Sequence, residues 1–197
     1  QTARRNFKLA FLIEGQMPLN LDSQSDGEYL TKLRFDARAG FWHYKNDGEE
    51  TRIKEDFKAC FDMDNLETGF SKYNGSFVEF IADPSLEKPA PQPEAGADGE
   101  AWKRAFKVTL MSKTLGGKMT FLHSARNVTG AFNELYSDYE KDKKNGKSPV
   151  VEIKADGSKS GDFYRPEWKI TGWVDTPKEF SEQPEQAQSA TDDDDDF

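Results

Sequence analysis

The sequence predicts a mainly β protein with one α-helix, and three observations carry that prediction. Short runs of β-branched and aromatic residues recur along residues 1–176. Turn signals such as Asn46-Asp47-Gly48 and Leu115-Gly116-Gly117-Lys118 separate them, and only one stretch switches to helical spacing. Aromatic residues make up 13% of the 197, which is enough to furnish one core in a domain of this length.

Residues 7–13 form the first β-prone run. Residues 29–44 alternate well enough to be one long strand, bent at Gly40. Asn46-Asp47-Gly48 then signals a hairpin into residues 51–61. Residues 76–82, 102–111, 118–123, 150–154 and 168–174 complete the set. The helix rests on Val128, Phe132, Leu135, Tyr136 and Tyr139, which recur at helical spacing. Asn127 or Thr129 is placed to cap its start, and Lys143-Lys144-Asn145-Gly146 to stop it. Many short strands plus one helix predict an OB-fold-like small barrel, with a sandwich as the main structural rival.

Two segments are expected to stay irregular. Residues 83–100 hold Pro84, Pro89, Pro91 and Pro93 with Gly96 and Gly99, and strand patterns resume on both sides. They read as a long mobile loop inside the domain. The stretch 177–197 is rich in Gln, Glu, Ser and Asp and has little to bury, so it reads as a disordered acidic tail following a domain of residues 1–176.

The net charge of −9 is unevenly spread. From Pro177 to Phe197 eight acidic residues face Lys178 alone, so the tail accounts for −7 and the body for −2. A near-neutral body can still present a basic face. The single cysteine, Cys60, excludes an intrachain disulfide and a cysteine zinc site, and it reads as a buried or half-buried thiol in a reducing cytoplasm. No apolar run approaches membrane-spanning length. Arg4, Arg5 and Lys8 are not followed by the apolar stretch of a secretory signal, although a chain beginning at Gln1 leaves a removed leader open.

The most informative stretch runs from Arg34 to Tyr44. In one extended strand Arg34, Arg38, Trp42 and Tyr44 share a face, while Phe35, Ala37, Ala39, Phe41 and His43 turn to the core. If residues 46–50 form the loop, Tyr44 faces Arg52, Trp42 faces Lys54 and Arg38 faces Lys58. That surface suits unpaired nucleic acid: cations track phosphates and exposed rings stack on bases. The alternative is that Trp42 and Tyr44 are ordinary barrel residues flanked by solvated Arg and Lys. Trp102, Lys103 and Lys107 after the long loop, and Lys169 beside Trp168 and Trp173, extend the candidate set. Lys72 and Tyr73, in a Gly-bounded turn, are further candidates.

The chain ends Thr191-Asp192-Asp193-Asp194-Asp195-Asp196-Phe197. Contiguous aspartates repel one another and keep the segment extended. A partner can take the Phe197 ring in an apolar pocket, its α-carboxylate on Arg or Lys, and the aspartates on a basic rim. This ending resembles the single-stranded DNA-binding proteins of bacteria and tailed phages. The direct Asp196-Phe197 step is similar to the phage versions rather than the bacterial ending with Ile-Pro before Phe. The resemblance covers residues 192–197 closely and the body in character only. It implies an OB-fold core that binds single-stranded DNA and a tail that recruits replication, recombination and repair proteins. It also implies a tail that competes with DNA for the basic groove, and a place in the host cytoplasm if the protein is phage-encoded.

Catalytic patterns are weak by comparison. His43 and His123 are far apart, and Asp62-Met63-Asp64-Asn65 opens like a calcium loop but continues with Leu66 and Glu67 where ligand and Gly are required. Ser158, Ser160 and Asp162 have no base nearby in sequence, and Glu49-Glu50 and Glu55-Asp56 read as solvated carboxylates. The expectation is a binding protein without catalysis, metal or cofactor, with homo-oligomerisation left open. The rival is an acidic DNA mimic that occupies another protein's nucleic-acid site.

Overall fold

The computed structural model describes residues 30–46, 49–73, 78–95 and 100–181. The strand expected at residues 7–13 and the tail residues Asp192–Phe197 lie outside the described residues.

β1 (Thr31–Asp36) and β2 (Phe41–Asn46) form an antiparallel hairpin, where one long bent strand was expected. Asp36 makes the turn. Its carboxylate accepts the N–H groups of Arg38 at 2.8 Å and Ala39 at 3.0 Å, and its carbonyl accepts the Gly40 N–H at 2.7 Å. Gly40 sits at φ +79°, where a side chain is strained. The turn reverses side-chain parity. Phe35 stands opposite Trp42 and Asp36 opposite Phe41, and opposed residues point to the same face.

The expected strand at 51–61 is two strands, β3 (Glu49–Arg52) and β4 (Phe57–Phe61). The chain bends between them at Asp56, whose carboxylate holds the Ala155 N–H at 2.9 Å and Lys154 Nζ at 2.7 Å. β5 (Glu67–Tyr73) was not foreseen; its composition, ETGFSKY, has little strand character. β6 (Val78–Ala82), β7 (Lys103–Ser112) and β8 (Gly117–His123) follow as expected. Then come α1 (Arg126–Asp142), β9 (Lys147–Ile153), the small hairpin β10 (Ser158–Ser160) and β11 (Phe163–Arg165), and β12 (Trp168–Asp175).

The strands run β12-β9-β4-β7-β8-β1-β2-β3, and β5 with β6 attach to the N-terminal half of β7. The β1–β8 pair is parallel; its neighbours are antiparallel. The sheet curls into a half-barrel. Ile53 N–H continues the β2 ladder onto the Trp42 carbonyl at 2.9 Å, so one bent segment pairs with β2 at its start and with β7 and β9 at its end. Gly157 N–H to Gly40 carbonyl (2.8 Å) and Tyr164 N–H to Ala37 carbonyl (2.8 Å) tie the chain after β9 to the β1–β2 turn.

The concave side holds the core. Leu33, Phe35, Trp42, Phe61, Val108, Leu110, Met119 and Phe121 are buried there, and α1 covers them with Val128, Phe132, Leu135 and Tyr139. Phe132 stacks on Phe106 with centroids 3.9 Å apart. Neither Asn127 nor Thr129 caps α1, because the Asn127 amide donates to the Tyr164 carbonyl and the Thr129 hydroxyl to the Arg126 carbonyl. His123 Nδ1 instead accepts the Ala125 N–H at 3.0 Å.

A second helix, α2 (Lys178–Ser181), falls inside the segment assigned to the tail. Phe180 is buried there, and Lys118 Nζ holds the Glu179 carbonyl at 2.6 Å, so this part of the segment packs on the domain.

Candidate functional site

Trp42 is not a surface residue. It is fully buried, with ring centroids 5.0 Å from Phe35 and Phe121, 5.8 Å from Trp168 and 6.1 Å from Phe57. Tyr44 points to the same side and is half-buried against the core. The stacking pair expected at the surface is therefore corrected. Residues 37–40, whose pattern also fits a strand, are turn, and the alternation resumes in the opposite phase.

The register moves the basic residues in the other direction. Tyr44 pairs with Thr51 and His43 with Arg52, one residue away from the expected pairing. Arg34 pairs with His43. Arg34, His43 and Arg52 therefore form one row across β1, β2 and β3 on the convex face. The row continues onto β8 and β7. Leu33 pairs with Phe121, so Arg34 and Leu122, one step on in each parallel strand, are neighbours. Leu122 pairs with Lys107. Five strands at about 4.8 Å spacing make this row about 19 Å long.

The charges along it are partly engaged. Arg52 Nη2 lies 3.0 Å from Asp156 Oδ1, with both side chains solvated. Lys107 Nζ lies 2.6 Å from Glu67, and His43 Nδ1 contacts Glu50. Arg34 and, beyond the row in the β1–β2 turn, Arg38 are both exposed and make no ion pair with a described residue. The Arg52 guanidinium carbon stands 4.3 Å from the centroid of the half-buried Phe41 ring, and Phe41 packs edge-on to His43 at 5.9 Å. Phe41 and His43 thus put aromatic groups on the convex face beside the arginines. The core set assigned to them held Phe35 correctly and misplaced both rings. The Asp36…Gly40 turn chemistry is the signal that separates the two cases.

The other candidates lie outside this row. Lys54 is exposed in the β3–β4 connection. Lys58 and Lys169 both stand opposite Glu152, from β4 and β12, and Lys169 Nζ is 3.2 Å from its carboxylate. They form a separate patch. Trp102 is half-buried; its Nε1–H donates to the Glu94 carbonyl at 3.1 Å and Lys72 Nζ lies 5.4 Å from its ring. Lys103 is exposed and makes no ion pair with a described residue.

The remaining reactive groups are held within the fold. His123 is held by the Phe35 carbonyl (3.1 Å) and the Ala125 N–H, and burial lowers its pKa below the usual histidine value. Burial pushes the Cys60 thiol up to about 11, which leaves it protonated near neutrality. Asp62 is buried, accepts both bonds of the Asn65 amide, and is raised chiefly by that burial. Asp64 accepts the Tyr139 hydroxyl at 2.7 Å and Lys143 at 3.0 Å, which lower its pKa. Among the described residues no group of three or more His, Cys, Asp or Glu side chains is placed to hold a metal ion, and no helix is long and apolar enough to cross a membrane. No protein-family model matches the chain, and no curated protein or solved structure is significantly similar to it.

Proposed function

We propose that this chain is a non-sequence-specific single-stranded DNA-binding protein of phage type, acting in DNA replication, recombination and repair in the cytoplasm. The observation that carries the reading is the convex row Arg34–His43–Arg52 with the Phe41 ring beside Arg52. Guanidinium groups at phosphate and rings beside them are what unpaired DNA requires. We read the curled sheet as an OB-like barrel, a fold whose outer strand faces bind oligonucleotides. The acidic ending Asp192–Phe197 supports the second half of the reading, recruitment of partner proteins.

The test is fluorescence anisotropy of a labelled oligo(dT) titrated with the full chain at several salt concentrations. Binding with a clear salt slope is expected, and Arg34→Ala with Arg38→Ala lowers the slope by roughly 1.4, about 0.7 per lost phosphate contact. No binding at low salt, with or without the acidic ending, overturns the reading and favours a DNA mimic. Cleavage of the oligonucleotide on adding Mg²⁺ overturns it in favour of a nuclease.

A further inference from the structure

Beyond the arginine row the convex face carries a cleft of about 220 Å³. Register and exposure both build it. Tyr73 pairs with Val78, Ser71 with Phe80 and Lys103, and Lys107 with Leu122. Opposed residues share a face, so Tyr73, Val78, Lys103 and Leu122 all turn outward around the cleft. Tyr73 is 59% and Val78 42% exposed, and Lys103 is exposed without an ion-pair partner among the described residues. His123 forms part of the wall with both ring nitrogens already engaged. Lys72 and Glu100 also line the cleft, so with Lys103 its charge is +1. Leu122 belongs both to this cleft and to the arginine row, which makes the two continuous.

We propose that this cleft is a second nucleotide subsite of the strand-binding face, with the Tyr73 ring stacking on an unpaired base and Lys103 holding the adjacent phosphate. The inference rests on the single-stranded DNA reading. It supplies an exposed aromatic platform that the buried Trp42 cannot be. A strand entering at Arg52 crosses β2 and β1 at His43 and Arg34, passes Leu122, and turns along β7 towards Lys103. Lys107 and Lys103 are four residues apart on that strand, about 13 Å.

The experiment compares oligo(dT) of 4 and 16 nucleotides by anisotropy, using the full chain and the variants Tyr73→Ala, Tyr73→Phe, Lys103→Ala and Arg34→Ala, each checked for an unchanged thermal midpoint. Tyr73→Ala is expected to weaken the 16-mer between about 5- and 150-fold, the range of one lost stacking contact. Tyr73→Phe keeps the ring and the affinity. Lys103→Ala lowers the salt slope by roughly 0.7, which Tyr73→Ala leaves alone. The 4-mer, filling the arginine row, responds to Arg34→Ala only. If Arg34→Ala weakens the 16-mer while Tyr73→Ala and Lys103→Ala match the wild type, the subsite is wrong and the strand-binding reading stands. If the wild type binds neither oligonucleotide, both fall.

Discussion

The Trp42 ring lies 5.0 Å from the Phe35 ring directly across the β1–β2 hairpin, at the centre of an aromatic cluster that also holds Phe57, Phe121 and Trp168. Trp42→Ala should therefore cost about 3–5 kcal/mol of stability, the range for emptying a large buried aromatic site. Trp42→Phe should cost much less. The Nε1–H of Trp42 is buried without an acceptor among the described residues, so the smaller ring sacrifices packing and no hydrogen bond. Urea unfolding followed by circular dichroism measures both. DNA affinity of the folded Trp42→Phe protein should equal that of the wild type, because the ring is on the concave side.

Gly40 is fixed by two independent constraints. Its φ is +79°, and a Cβ there would stand 2.5 Å from the Tyr164 ring on β11. Gly40→Ala is expected to destabilise by about 1–3 kcal/mol through backbone strain alone, with the clash added to it. A Gly116→Ala control separates the two contributions, because its φ is also positive, +92°, and nothing lies within 4 Å of the added methyl group. Equal losses in the two variants would show that the Tyr164 contact gives way freely.

The same hairpin explains which parts of the molecule were readable from sequence. β7, β8, β12 and α1 follow from periodicity, because each turns one face to the core and the pattern survives over several residues. β5, and β10 with β11, are polar or Gly-bounded and owe their strand form to neighbours: β5 pairs along β7, and β10–β11 is held by Gly157 and Tyr164 on the β1–β2 turn. The proposed binding face was half legible. Arg34 and Arg52 share a surface as expected, but with His43 and Phe41 between and beside them. Parity after a turn depends on how many residues the turn contains, and period-two patterning cannot count them when Ala37, Arg38, Ala39 and Gly40 fit strand or turn alike.

Asp83 sets a pH limit on the loop that follows β6. Its side chain is only 2% exposed, accepts two bonds from Arg104 (2.9 and 2.6 Å), and also holds the Thr68 hydroxyl (2.6 Å) and the Ala90 N–H (2.8 Å). The Arg104 bonds above all, then those of Thr68 and Ala90, overcome burial and hold the carboxyl well below its ordinary value. A depressed folded pKa contributes stability that is complete above the unfolded value, about 4, and is lost as pH falls through the folded value. The stability gap between wild type and Asp83→Asn should therefore be constant from about pH 5 to 8 and shrink below about pH 4. Arg104→Ala should cost about 2 kcal/mol near neutrality by leaving the carboxylate short of two charged donors. A gap that persists undiminished at pH 2–3 would remove Asp83 as the origin of the acid sensitivity.

The proposed function makes the acidic ending a competitor for the cations that face DNA. Arg34 and Arg38 are exposed and make no ion pair with a described residue, and five aspartates precede Phe197. Truncation before Asp192 should tighten binding of oligo(dT) at low salt and abolish recruitment of partner proteins. The tightening is electrostatic between solvated groups, so it should fade as the screening length drops from about 30 Å at 0.01 M to about 3 Å at 1 M salt. Adding Arg34→Ala with Arg38→Ala to the truncated chain should remove most of the gain, because the competition needs those two charges. Anisotropy titrations of the four proteins across that salt range form a double-mutant cycle. A truncation effect of the same size with and without the arginines would place the competition elsewhere on the molecule.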